Sequence, residues 1–254
     1  MKKIYKTIII SIILLTICTT LGYVYSYIRK ESSISKLSKL DNLETTKSID
    51  ENNDASNATL LDTIKDVTSD NLSTPFSSDI VIYNSHPDEN YESGIKVTDL
   101  GALINHELNT EGLNSSFISS QSNIEYISSY KISNESITEN VPGYENTILL
   151  DIHRSSSDSF ESDSKMITFV LAKDNPHFEE NNKFAEQLVN EILKSDKVKA
   201  SIYYYDITTE YLRRNQELSN NSVLVEIGTD KSNDNFIQEC VDVLVGSLKN
   251  IKNS

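Results

Sequence analysis

Three short apolar runs in this sequence each lead within a few residues to an ionisable side chain, and that pattern constrains the fold more than any other feature. Ile80-Val81-Ile82-Tyr83 runs into Asn84-Ser85-His86-Pro87-Asp88-Glu89, Ile148 to Ile152 into His153-Arg154, and Val223-Leu224-Val225 into Glu226-Ile227-Gly228. Continuous apolar runs of this kind mark strands buried on both faces. Met166 to Ala172 reads as a further strand. Between the strands the spacing turns helical. Val97 to Leu108 carries Leu100, Leu103, Ile104 and Leu108 behind Thr98 as an N-cap. Asn181 to Leu193 carries Phe184, Leu188, Ile192 and Leu193. Ile207 to Glu217 reads as a further helix. Asn235 to Leu248 closes the chain with Ile237, Val241, Leu244, Val245 and Leu248. The alternation predicts an α/β domain over residues 77–254, a mostly parallel sheet covered by helices on both faces.

What precedes that domain has a different character. Ile8 to Ile28 carries no charge, follows Lys2, Lys3 and Lys6, and is succeeded by Arg29 and Lys30. At about 1.5 Å per residue it reaches roughly 30 Å, one bilayer core. Tyr23, Tyr25 and Tyr27 stand near its far end, where amphipathic rings favour an interface. Residues 1–30 are therefore expected to form a single uncleaved transmembrane helix. Ile17 before Cys18 is too bulky for a lipid-attachment site. Residues 31–76 are rich in Ser, Asn, Asp, Thr and Glu with scattered Leu. Such a segment buries too little apolar surface to offset its ordering entropy, so a flexible acidic linker is expected, with one short helix at Leu60 to Val67. The net charge of −15 argues against nucleic acid as a partner. Cys18 and Cys240 are too few and too far apart for a disulfide framework.

In a parallel sheet, ligands bind beyond the carboxyl ends of the strands. His86, Glu89, His153 and Glu226 are distant in sequence, yet strand ends would bring them to one sheet edge. Two imidazoles and a carboxylate make a three-ligand zinc (Zn2+) site with one position left open, and zinc brings the pKa of water down to about 7. A separate carboxylate is then needed to move protons. Glu226, set within an apolar run where acids are rarely tolerated, is the candidate acid/base. His106 falls opposite the apolar stripe of its helix and reads as a solvated side chain. His177 falls in a loop.

These residues resemble the stage II sporulation protein P family, a branch of the zinc N-acetylmuramoyl-L-alanine amidases. The resemblance rests on Val81 to Tyr91, where the family has an aliphatic strand, His-Thr-His, two variable residues and Glu-Ser-aromatic. It continues through Leu150 to Arg154, Asn175-Pro176, Asn181 to Ala185, Asn215 to Ser219 and Leu224 to Gly228. It implies a phosphorylase/hydrolase-like α/β fold and cleavage of the amide between N-acetylmuramic acid and L-alanine of the peptidoglycan stem peptide. It implies a role in septal wall thinning and engulfment, with stage II sporulation proteins D and M as partners. It also implies a catalytic domain on the extracytoplasmic side of the cell membrane. His86, Glu89 and His153 fall on the family's zinc ligands and Glu226 on its catalytic glutamate. Arg154 could pair with a substrate carboxylate or hold a structural acid. Three positions depart from the pattern: Asn84 stands for the first histidine of His-Thr-His, Ser155 for an aspartate, and Arg214 for an aromatic residue. Two other readings fit the same residues, a carboxypeptidase-like zinc peptidase and a degenerate wall-binding domain that does not cut.

Overall fold

The computed structural model describes residues 60, 63–64, 78–120, 122–158, 166–206 and 213–253. The predicted anchor over 1–30, most of the predicted linker, and the first part of the helix predicted over 207–217 lie outside these residues. No helix among the described residues is long and apolar enough to cross a membrane.

Six strands form one sheet: β1 (Ile80–Tyr83), β2 (Ser115–Ile118), β3 (Ile148–Ser155), β4 (Met166–Ala172), β5 (Lys199–Tyr205) and β6 (Asn221–Thr229), in the spatial order β2-β1-β3-β6-β4-β5. Neighbours β2, β1, β3 and β6 run parallel, as do β4 and β5, while the β4–β6 junction is antiparallel. The expected mostly parallel sheet is present, with β4 and β5 reversed. That reversal matters for the site. The carboxyl ends of β1, β3 and β6 share one edge, and the end of β4, with the loop that carries His177, points to the other.

Among the described residues, four long helices cover the sheet: α1 (Val97–Thr110), α2 (Tyr126–Asn140), α3 (Phe178–Ile192) and α4 (Asp234–Lys252). Side chains of a strand alternate between faces. Ile80, Ile82, Leu150, Ile152, Val223, Val225, Ile167 and Phe169 join α1, α3 and α4 in the larger core. Val81, Tyr83 and Leu149 point the other way and meet Ile137 of α2, with Ile118 and Val141. Leu60 and Ile64, inside the predicted linker, are helical and buried in the larger core, which agrees with the short helix expected there.

Local chemistry explains the helix ends. The Asn233 side chain accepts the Phe236 N–H at 2.9 Å, Asp234 stands in the first turn of α4, and Lys249 and Lys252 stand in its last. Each complements the helix dipole. The N-cap of α1 is Lys96 rather than Thr98. Val97 is already helical and fully buried, and the Asp99 carboxylate accepts the Lys96 N–H at 3.0 Å.

The helix expected to continue to Glu217 is not present over its described part. Residues 213–217 form a turn in which Arg214 (φ 57°) and Asn215 (φ 59°) are both left-handed. Two consecutive residues of this kind cannot continue a right-handed helix, and each costs on the order of 1 kcal/mol or more. Side chains hold the turn from both sides. Asn215 Nδ2 donates to Ser133 Oγ of α2 at 2.8 Å. Gln216 Nε2 donates to the Val170 carbonyl at 2.8 Å and its Oε1 accepts the Ala172 N–H at 2.9 Å.

Candidate metal centre

The parallel register sets the site. His153 stands opposite Glu226 in the β3–β6 ladder, and Asp151 stands opposite both Tyr83 of β1 and Leu224 of β6. By alternation, Asp151, His153 and Glu226 share the face covered by α2. The loop leaving β1 brings Ser85, His86 and Glu89 to the same end.

His86, Glu89 and His153 each offer a ligand atom, all within 4.8 Å of one another, and so could hold a metal ion. His153 Nδ1 lies 3.3 Å from Glu89 Oε1. A tetrahedral ion with ligand bonds near 2.0–2.1 Å sets its donors roughly 3.3–3.4 Å apart, so this pair has the right separation. The other ring nitrogen of His153 is occupied. Its Nε2 lies 3.0 Å from Asp151 Oδ1 and 2.9 Å from Ser85 Oγ. Asp151 is fully buried and also accepts the Ser85 N–H at 2.8 Å and the Ser85 hydroxyl at 2.6 Å. A carboxylate on the far nitrogen fixes the tautomer and leaves Nδ1 as the donor facing Glu89. His86 Nε2 points at the Tyr126 carbonyl at 3.2 Å, and its ring stacks on Tyr126 at 4.0 Å and meets Tyr130 edge-on at 4.7 Å. The donor set, its spacing and its hydrogen-bonded support fit a metal of the zinc type.

The electrostatics fall differently on the two imidazoles. Burial pulls His86 below the usual imidazole range and the His153 charge adds to it, which favours the neutral ligand form. Burial also opposes charge on His153, but Asp151 and Glu89 outweigh it and hold the imidazole well above its ordinary value. Glu89 is pushed up by burial and brought below the normal range by His153 and by the Arg154 N–H, which lies 3.2 Å from its Oε2. Burial raises Glu226 and Glu89 adds to the rise, while His153, Arg214 and a hydrogen bond to Ser155 restrain it.

Of the four residues expected to converge, His86, Glu89 and His153 form the cluster, and Glu226 stands across the ladder from His153. Arg154 is placed otherwise. Its Nε donates to the Asn90 carbonyl at 2.6 Å and a terminal nitrogen to the Ser155 carbonyl at 3.1 Å, so its guanidinium braces the loop that carries Glu89. Asn84 is fully buried and bonds the Val97 and Ile152 carbonyls at 3.1 and 2.8 Å, a tie between β1, α1 and β3. Ser155 faces Thr229 across a register slip, where β6 spends one extra residue beside Gly228. Gly228 is left-handed (φ 58°), and a Cβ there would lie 2.2 Å from Ser232 Oγ. His106 is exposed, as expected. Sequence reasoning missed Asp151, Ser85, Tyr126 and Tyr130. Asp151 had the same signal as Glu226, an acid inside an apolar run.

Solved structures with similar folds include N-acetylmuramoyl-L-alanine amidase AmiC2 of Nostoc punctiforme, at 13% identity over 70% of this chain and 100% of that one, with a TM-score of 0.44. Cwp6 from Clostridium difficile matches at 11% identity over 70% of this chain and 30% of that one, with a TM-score of 0.47. Murine aminoacylase 3 matches at 12% identity over 71% and 66%, with a TM-score of 0.46. No curated protein matches the sequence. The family model described as stage II sporulation protein P matches residues 17–247, a span that takes in every residue of the cluster, its Asp151 support and Glu226. The chain belongs to the stage II sporulation protein P family.

Proposed function

We propose that this chain is a zinc-dependent N-acetylmuramoyl-L-alanine amidase that cuts the amide between N-acetylmuramic acid and L-alanine in peptidoglycan. One observation carries the reading. Three ligand-type side chains gather within 4.8 Å, and a half-buried, upward-shifted carboxyl stands across the ladder from one of them. The proposed setting is septal wall thinning and engulfment, with stage II sporulation proteins D and M as partners, and membership of a sporulation protein family supports it. The reading includes an anchor over residues 1–30 and a linker over 31–76 that hold the domain outside the cell membrane.

Zinc bound at this cluster supplies Lewis-acid polarisation of the amide carbonyl and a water of lowered pKa. His86, Glu89 and His153 would hold it, and Asp151 with Ser85 would fix the tautomer of His153. Glu226 takes a proton from the attacking water and delivers it to the departing nitrogen. A group that first accepts and then donates works best with a pKa near the operating pH. Burial moves Glu226 in that direction, and Arg214, His153 and Ser155 keep it ionisable. Arg154 acts by bracing the Glu89 loop.

The test is digestion of purified peptidoglycan by the full-length chain with zinc, with a chelator, and as the Glu226→Gln variant, followed by mass spectrometry. The expected products are intact stem peptides with glycan reducing ends unchanged, absent in the chelator and variant arms. Release of a terminal amino acid alone would assign a carboxypeptidase-like zinc peptidase instead. Wall binding without any product would assign a non-catalytic wall-binding domain.

A further inference from the structure

Arg214 stands out once the metal cluster is accounted for. Its backbone is left-handed, next to a left-handed Asn215, in a turn held by bonds to Ser133, Val170 and Ala172. An unfavourable backbone that its surroundings enforce is a reason to ask what its side chain does. The guanidinium carbon lies 4.3 Å from the centre of the Tyr205 ring. Its Nε is buried with no hydrogen-bond partner, and among the described residues no carboxylate lies within ion-pair distance of it. A buried guanidinium N–H without an acceptor is uncommon. The side chain is only partly covered, so a ligand can reach it.

The cation faces the proposed site. Its charge is felt by Glu226, and it is itself influenced by Tyr130, Tyr205, Tyr126 and Asp151. Tyr126 and Tyr130 are the rings that pack on His86. The register gives the scale. Glu226 stands opposite Thr168 and Tyr205 opposite Ala172, four residues along β4. At the rise of a strand that is on the order of 13 Å along the sheet, with two strand spacings of about 5 Å across it. The backbones of Glu226 and Tyr205 therefore lie on the order of 16 Å apart, and a group bound at Arg214 lies within a few residues of extended peptide from the bond being cut.

We propose that Arg214 is a specificity residue that binds a carboxylate on the second or third residue of the substrate peptide. The chemistry follows from what the side chain lacks. A guanidinium presents donors in a planar fork that matches a carboxylate, and here the Tyr205 ring lies against it while no described carboxylate pairs with it. The identification of that peptide as the peptidoglycan stem rests on the amidase reading; the demand for an anion does not.

The probe is the tripeptide L-alanyl-γ-D-glutamyl-diaminopimelate, as the free acid and with its carboxyl groups amidated. Binding to the full-length chain is followed by nuclear magnetic resonance titration, and kcat and KM are measured on the corresponding muramoyl tripeptides. The free acid should bind on the order of tenfold more tightly than the amide. Arg214→Gln should remove that difference while leaving amide binding unchanged, and Arg214→Lys should restore part of it. In kinetics the loss specific to the acid substrate should fall on KM, while any change in kcat that Arg214 makes through Glu226 should be shared by the acid and amide substrates. Equal binding of acid and amide by the unaltered chain overturns the proposal without any variant. So does an Arg214→Gln chain that weakens both ligands alike. If neither muramoyl substrate is cut at its amide, the amidase reading fails, and the acid–amide difference in binding still decides the role of Arg214.

Discussion

On one face of the sheet, Ile80, Ile82, Leu150, Ile152, Val223 and Val225 meet three helices and enclose a dry core. On the other, the alternate residues of the same strands are Tyr83, Asp151, His153 and Glu226, under a single helix whose Tyr126 and Tyr130 pack on His86. The two faces differ by one step along each strand. The first face stabilises by removing apolar surface from water, on the order of 25 cal/mol per Å². The second tolerates buried ionisable groups because each has a partner: His153 has Asp151 and Glu89, and Asp151 has Ser85. Charges without such partners would cost several kcal/mol each. Stability and chemistry are thus separated across the sheet, and substitutions on either side test that separation.

The largest effect is expected on the polar face. Glu226→Gln should lower turnover by about 10²–10⁴-fold, as for loss of a general acid/base, with metal content and thermal midpoint close to those of the unaltered chain. Metal analysis beside wall-digestion rates checks it, and a parallel loss of bound metal would mean that Glu226 belongs to the ligand set. On the apolar face Leu150→Ala should cost about 2–5 kcal/mol in denaturant unfolding, while the folded fraction keeps its metal affinity. If metal affinity falls with stability, the two faces are coupled and the separation fails. Asp151→Asn comes next. The amide keeps the shape but not the charge that holds the His153 tautomer, so metal affinity should fall by about 10–100-fold. Competition with a chromophoric chelator measures it.

The parts legible in the sequence were those where one physical demand acts alone. β1, β3 and β6 are central strands buried on both faces, so apolar residues dominate them and the acids Asp151 and Glu226 stand out. α3 and α4 each bury one stripe. β2 and β5 lie at the sheet edges, where Ser115, Ser116, Lys199 and Ser201 replace apolar side chains, and no run announces them. α2 buries Tyr130, Ser133 and Ile137 at helical spacing, but with serine in mid-stripe the periodicity is faint. The candidate ligands were legible because they follow central strands. Nothing in the sequence position of Arg154 shows that two backbone carbonyls accept from it. The turn at Arg214 was misread as helix because left-handed residues leave no signal when they are not glycine.

The smallest effect concerns the balance on Glu226. Burial raises its carboxyl, and the Ser155 hydroxyl is one of the groups that restrain the rise. Ser155→Ala removes that bond and should move the carboxyl further up. A carboxyl held above its unfolded value binds its proton more tightly in the folded state. Its contribution to stability is therefore full below the ordinary carboxylate range and is lost as pH rises through the folded value. In the variant that loss should be displaced to higher pH, and Glu226→Gln should abolish it. Activity should shift the same way, because the ionised form is needed to accept a proton. On the acidic limb the variant should be slower by about two- to tenfold, with the plateau rate little changed. An equal loss at every pH would mean that Ser155 acts on the register slip beside Gly228 instead of on the carboxyl, and the polar face would then owe its tuning to backbone shape and not to hydrogen bonding.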